Sequence, residues 1–257
     1  MDFFISTKSR TDKEELMDDF SIGGDLLRDT LDKLENINRW LGGNKVTVNG
    51  LKTILKNSLK AQEITIIDIG CGHGDILRDV AKFGRKNGYQ FKLIGIDANP
   101  TAIEYANELS TEYPELSFET QDIFSDEFKK RTFDVVLATL FLHHFKAPEL
   151  VSFLNNTLKQ TKIGIVVNDL HRHKLAYYLF MVLSIFIKNK MIIEDGLTSV
   201  LRGFKRTDLI ELSEKINVKP TISWKWAFRY LWILKSLKPG ILKKSREIKD
   251  KIAVKSV

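Results

Sequence analysis

The chain has 257 residues, a formal net charge of +7 and 43% hydrophobic side chains, enough apolar material for one large α/β core and too much for a disordered chain. Its single cysteine, Cys71, excludes an internal disulfide and points to a reducing cytoplasm. Residues 235–257 hold eight basic and two acidic side chains, so they carry +6 and leave the remainder nearly neutral.

The first residues, Met1 to Ser6, lack the basic region and long apolar stretch of a signal peptide. From Thr11 to Leu41 the pattern is helical with acids on its outer faces. Lys13 to Phe20 reads as a short amphipathic piece, and Asp25 to Leu41 as a longer helix with leucines at three- and four-residue spacing, ended by Gly42 and Gly43. A third helix, Asn49 to Lys60, leads into Ile64 to Asp68, a β-branched run expected to form a strand covered on both faces. Gly70, Gly72 and Gly74 follow at alternate positions, where a missing Cβ lets the backbone turn sharply and approach a ligand. Helical spacing resumes at Asp75, so strand, glycine loop and helix form a cradle with backbone N–H groups aimed at the ligand. The third glycine comes one residue earlier than in G-x-G-x-x-G, and Asp68 and Asp75 flank the loop. Both features suit an ammonium or sulfonium ligand better than a pyrophosphate. Cys71, small and set between two glycines, is read as a residue chosen to fit.

The second strand, Gln90 to Asp97, ends in an acid where a ribose needs an acceptor for its vicinal hydroxyls. Asn99 and Pro100 open a helix from Thr101 to Ser110, and Glu115 to Thr120 is a third strand leading to Gln121, Asp122 and Ile123. A fourth buried strand from Phe133 runs through Leu140 into Phe141, His143, His144 and Phe145. After a helix from Pro148 to Thr161, Ile163 to Asp169 is the fifth strand. Ligands of open α/β sheets sit at the carboxyl ends of the strands, which places Thr139 to His144 and Asp169 at the crevice. His171, Arg172 and His173 then precede the apolar run Leu175 to Ile187, as a substrate pocket would precede its lid. That run is too short to span a bilayer, so no stable membrane insertion is expected; pocket wall, peripheral membrane contact and a dimer interface remain open, as do monomer and homodimer. His171 and His173 lack a cysteine or third histidine nearby, and no metal is expected. Ile193 to Arg206 reads as a loop with glycine hinges, Thr207 as the cap of a helix to Ile216, and Lys219 to Trp226 with Arg229 to Leu234 as a closing antiparallel pair.

The joint spacing of Asp68, the three glycines, Asp97 and Asp122 resembles the class I S-adenosylmethionine (SAM)-dependent methyltransferases over residues 61–235. The resemblance implies a Rossmann-like α/β fold: a seven-stranded, mostly parallel sheet with an antiparallel last strand and helices on both faces. It further implies an N-terminal helical cap (1–60), a helical insertion (171–204) and a basic tail (236–257). SAM is the implied cofactor. Gly70, Cys71, Gly72 and Gly74 would line its methionine portion, with Asp68 near the ammonium. Asp97, with Ala98 and Asn99, would hold the ribose; Asp122 and Ile123 would hold the adenine, and Leu140 would close the other side. The segment after the fifth strand and the acidic cap are similar to bacterial methyltransferases acting on phenolic or quinol metabolites, which implies a small-molecule acceptor of secondary metabolism. His144, His171 and His173 are then the candidate bases, since an imidazole titrates near neutrality, with Asp169 as orienter. Arg172 would pair with an anionic substrate, and Phe141, Tyr177 and Tyr178 would face the sulfonium or stack on an aromatic acceptor. Three alternatives stay open. One is an RNA or protein methyltransferase using the basic tail, although Ala138-Thr-Leu-Phe stands where base-methylating enzymes carry Asn-Pro-Pro-aromatic. The others are a non-catalytic SAM-binding protein and an NAD(P)-dependent oxidoreductase.

Overall fold

The computed structural model describes residues 5–56 and 58–236; beyond Ser236, the expected basic tail lies outside the described residues. Seven strands form one sheet: β1 (Glu63–Ile69), β2 (Gln90–Asp97), β3 (Leu116–Thr120), β4 (Phe133–Thr139), β5 (Thr161–Leu170), β6 (Pro220–Lys225) and β7 (Arg229–Lys235), in the order β3-β2-β1-β4-β5-β7-β6. β1 pairs in parallel with both β2 and β4, while β7 runs antiparallel between β5 and β6. The strand order reverses at β1 and β4, so their carboxyl ends open the crevice in which such sheets bind ligands.

The central strands are apolar on both faces because helices cover both. Val136 and Ala138 of β4 join one core with Phe153, Leu154 and Leu158 of α6 (Ala147–Gln160) and with Leu209 and Leu212 of α9 (Arg206–Lys215). Val135 and Leu137, pointing the other way, join a second core with Leu51 and Ile54 of α2 (Gly43–Ile54) and Leu77 and Val80 of α3 (Asp75–Asn87). Burying one such leucine completely stabilises the fold by about 1.5–3 kcal/mol. α1 (Gly24–Trp40) packs on α4 (Pro100–Leu109) and on α8 (Lys190–Arg202), and α8 in turn on α7 (Lys174–Leu183). The short helix α5 (Asp126–Lys129) precedes β4. Among the described residues no helix is long and apolar enough to cross a membrane.

Several expected elements differ. The piece predicted at Lys13 to Phe20 folds only a 3-10 turn, Leu16–Asp18, because the N–H groups of Leu16 and Met17 donate to the distant Asp195 carboxylate at 2.7 and 3.0 Å. The third helix begins at Gly43 and ends at Ile54. It packs on β5 and β7. A Cβ built on Gly50 would lie 2.6 Å from Val166 Cγ1 and 2.7 Å from Leu231 Cδ1, and only a glycine lets α2 press this closely on the sheet. Residues 193–206 are mostly the helix α8, not a loop: Gly196 admits the ring of Phe180 and serves packing between α7 and α8 instead of a hinge. Thr207 lies inside α9, whose start is held by Asp208 accepting from the Lys205 N–H at 2.9 Å.

Candidate active site

The glycine loop is tied down before any ligand arrives. Gly70 and Cys71 both donate their N–H groups to Ile96 O, at 2.8 and 3.0 Å, which locks the loop to the end of β2. Gly70, Gly72 and Gly74 take φ values of +69°, +51° and +80° in the left-handed region, and a Cβ on Gly70 would overlap the Phe141 ring. Asp97 sits between loop and helix: one carboxylate oxygen accepts from Gly72 N–H and the other from Asn99 N–H, each at 2.9 Å. Asn99 caps α4 through Thr101 N–H at 2.9 Å, and its amide donates to Ile22 O at 2.8 Å, which draws the N-terminal segment over the cleft.

A cavity of about 500 Å³ lies along this loop, within the range of small-molecule sites. Its electrostatics are those of an unanswered negative charge. Asp68 is 1% exposed, one of its oxygens has no partner, and burial followed by repulsion from Asp75 and Asp97 pushes its pKa well above the carboxylate range. Burial also raises Asp75 and Asp97, against the opposing pull of His73 on Asp75 and of backbone N–H donors on Asp97. Nearby Glu35 goes the other way, to about 2, chiefly through the His73 imidazole 3.0 Å from it. Burial pushes the Cys71 thiol well up, so it stays protonated and serves to fit.

A second cavity of about 810 Å³ adjoins the first, and the two share Glu15, Asp18, His143, His144 and Phe145. At this junction both imidazoles are held by carboxylates. His143 Nδ1 lies 2.7 Å from Asp169 Oδ1, and His144 Nδ1 2.6 Å from Asp18 Oδ1. Burial alone would raise Asp169, but the charge and hydrogen bond of His143 hold it below the ordinary range. His143 is 1% exposed and its Nε2 has no partner; the nearest carboxylate oxygen is Glu15 Oε1, 3.6 Å away and also unpartnered. Burial pushes Glu15 up to about 7. Arg202 fixes the turn, reaching Asp18 Oδ2 at 2.7 Å and the carbonyls of His143 and His144; Arg10 adds a bond to His143 O at 2.6 Å.

The structure brings most of the expected cofactor residues together. Asp68, Gly70, Cys71, Gly72, Asp97, Ala98, Asn99, Asp122, Ile123 and Leu140 line the first cavity, with Phe141 and His144. Gly74 stands behind them as the N-cap of α3, and Asp169 stands behind His143. The other expected residues do not line either cavity. His171 packs against Tyr230 and accepts from Trp224 Nε1 at 3.3 Å, and burial with the neighbouring His173 and Arg172 charges lowers its pKa to about 4. Arg172 is buried in an ion pair with Asp208 at 3.0 Å, leaving no free guanidinium for a substrate. His173 accepts from Leu175 N–H at 3.1 Å as the cap of α7, and Tyr177 and Tyr178 meet each other edge to face. The reason is that the chain stays in the sheet beyond β5. His171 N–H donates to Phe228 O and its backbone bridges Phe204, which carries the segment past the crevice toward β7. Glu15 and Asp18 are absent from the expected site, and His143, expected at the crevice, had no role assigned there. His143 had a signal in its place after β4 with an acid ending β5; Glu15 and Asp18 had none.

Sheet order, glycine loop and acid-tipped second strand together are those of the Rossmann-like methyltransferase fold. Residues 60–185 match the family described as "Methyltransferase domain". Among solved structures, the plantazolicin methyltransferase BpumL in complex with S-adenosylhomocysteine (SAH) superposes with a TM-score of 0.62 at 18% identity, over 83% of this chain and 91% of that one. A SAM-dependent methyltransferase from Aquifex aeolicus gives 0.57 at 14% identity, over 81% and 98%. Magnesium protoporphyrin IX methyltransferase (ChlM) from Synechocystis PCC 6803 with bound SAH gives 0.51 at 15%, over 76% and 84%. At these identities the likeness is one of fold. Protein 235L of Invertebrate iridescent virus 6, whose name marks it as a methyltransferase candidate, is 32% identical over 87 residues; the match covers 34% of this chain and 30% of the viral protein.

Proposed function

We propose that the protein is a SAM-dependent methyltransferase that moves a methyl group to a small acceptor, with the hydroxyl of a phenol or quinol as the favoured nucleophile. One observation carries the reading: a buried imidazole, His143, held by Asp169 at 2.7 Å, has its unpartnered Nε2 at the junction of a carboxylate-rich cofactor cavity and a second cavity wide enough for an acceptor. The cofactor supplies an electrophilic methyl on a sulfonium. Asp68 and Asp75 answer its positive charges, and Asp97 keeps lone pairs for the ribose hydroxyls once its backbone donors are served. Asp122, exposed at the cavity's edge, and Ile123 take the adenine end. A pyrophosphate ligand would add negative charge to a cavity already lined by Glu35, Asp68, Asp75 and Asp97 and would be disfavoured there.

His143 receives the acceptor's proton at Nε2. Asp169 fixes the tautomer with the proton on Nδ1 and stabilises the imidazolium that results. His144, tied to Asp18, borders both cavities and orients the acceptor. Met17, Phe20 and Phe141 keep water from the reacting centre. This assigns the base to His143, ahead of the three histidines the sequence favoured.

Binding of tritiated SAM and of NAD separates the cofactors; micromolar SAM binding with no NAD binding is expected, and the reverse overturns the reading. Methyl transfer is then measured against a panel of phenols and against RNA. Labelled RNA with silent phenols would replace the small-molecule acceptor by a macromolecular one. SAM binding with no transfer to phenols, RNA or protein would leave a non-catalytic SAM-binding protein.

A further inference from the structure

Glu15, His143 and His144 each present one ligand atom, and the three atoms lie within 4.8 Å of one another. They come from segments far apart in sequence, Glu15 from just ahead of the turn at Leu16–Asp18 and the histidines from the stretch after β4, so the convergence is a product of the fold. Both imidazoles spend Nδ1 on a carboxylate, Asp169 for His143 and Asp18 for His144, and therefore keep Nε2 as the free lone pair. Metal-binding histidines are held in this way, since a carboxylate on one nitrogen fixes the ring and raises the basicity of the other. Two of the atoms, His143 Nε2 and Glu15 Oε1, are buried and without a hydrogen-bond partner, 3.6 Å apart, close enough to share one ion. Ser199 holds the other Glu15 oxygen at 2.7 Å and aims the carboxylate.

We infer that Glu15, His143 and His144 form a binding site for a divalent transition-metal ion. Two imidazoles and one carboxylate are the donor set of zinc sites that keep a fourth position open, and here that position faces the junction of the two cavities. The surroundings favour a cation: Asp18, Asp169 and Glu15 stand against the guanidiniums of Arg202 and Arg10. Arg202 Nη1 lies 3.8 Å from Glu15 Oε1, a loose contact that an ion would replace, while its 2.7 Å bond to Asp18 stays. An ion on His143 Nε2 occupies the lone pair assigned above to the acceptor's proton. On that reading of the reaction, metal loading and proton abstraction exclude one another, and the ion is a reversible inhibitor.

The test uses the full chain stripped with a chelator. Zn²⁺ is titrated in competition with a chromophoric chelator, and Co²⁺ is added separately to read coordination from its visible spectrum. One ion per chain is expected, with nitrogen and oxygen ligands. Glu15→Gln and His144→Gln should each abolish the competition or weaken it at least about 100-fold, and Asp18→Asn about 10- to 100-fold. His171→Gln should change nothing. Less than one ion per chain, unchanged affinity in both ligand variants, or loss in His171→Gln overturns the site; circular dichroism of each variant shows that it has folded. The ion titration needs neither SAM nor acceptor, so its failure is separate from failure of methyl transfer. Turnover of the stripped enzyme should fall at least tenfold at saturating Zn²⁺ with SAM affinity unchanged; turnover that holds or rises with the ion bound refutes the exclusion and leaves the site.

Discussion

Replacing Asp97 with asparagine tests the cofactor site without knowledge of the acceptor. Both Asp97 oxygens accept backbone N–H groups at 2.9 Å, one from Gly72 in the glycine loop and one from Asn99 at the start of α4. Asparagine has the same shape but turns one acceptor into a donor, which then faces an N–H group. A hydrogen bond to a charged group contributes about 1.5–3 kcal/mol, and an unsatisfied buried donor costs about 1–3 kcal/mol. A ribose placed on the same carboxylate loses a further charge-assisted bond of similar size. Part of the loss falls on the free protein, since the loop is loosened before the ligand arrives. We expect SAM affinity to fall by about 2–4 kcal/mol, roughly 30- to 1000-fold, and the ligand-free protein to melt a few degrees lower. Isothermal titration calorimetry with SAM, beside a thermal melt without it, reads the two effects separately. A dissociation constant within threefold of the parent would refute the placement of the ribose on Asp97.

Three other perturbations act elsewhere in the molecule. Asp169→Asn removes the charge 2.7 Å from His143 Nδ1; unit charges about 4 Å apart interact by about 4 kcal/mol at an effective dielectric of 20, so turnover should fall about 100- to 1000-fold with SAM affinity kept, and equal turnover would dismiss His143 as the base. Gly50→Val forces branched carbons against Val166 and Leu231 and should cost about 1–3 kcal/mol in urea unfolding; an unchanged midpoint would show that α2 is not pressed on the sheet. His171 is neutral in the fold, its pKa lowered from 6.5 to about 4, so the stability it contributes is full above about pH 6.5 and is lost as pH falls toward 4. Discounted for its half-burial, the loss is about 1–2 kcal/mol, and His171→Gln should flatten the stability profile in that window relative to the parent; parallel profiles would contradict the shift.

Local chemistry made much of this fold legible. The β-branched run at Ile64, the alternating glycines and the acids at Asp68, Asp97 and Asp122 are short-range signals; the run forms the buried strand β1, and Gly70, Gly72 and the three acids line the crevice. What failed was decided by distant partners. The turn at Leu16–Asp18 gives its N–H groups to Asp195, and α8 tolerates Gly196 because Phe180 comes from another helix. His171, Arg172 and His173 have the composition of a pocket, yet the bond from His171 N–H to Phe228 O carries them away from it. Glu15 reaches His143 across more than a hundred residues of chain, and no periodicity encodes that meeting.

The N-terminal strap that crosses the crevice has a consequence for how such a protein diversifies. Arg10, Thr11, Asp12 and Glu14 border the wider cavity and none of them borders the narrower one along the glycine loop. At its start the strap is held by contacts to backbone carbonyls, Arg10 to those of His143 and Arg202 and the Thr11 N–H to that of Leu201, so its anchoring there does not depend on which side chains stand opposite. If the wider cavity takes the acceptor as proposed, substitutions along 11–14 reshape what is methylated while the residues along the glycine loop are inherited unchanged.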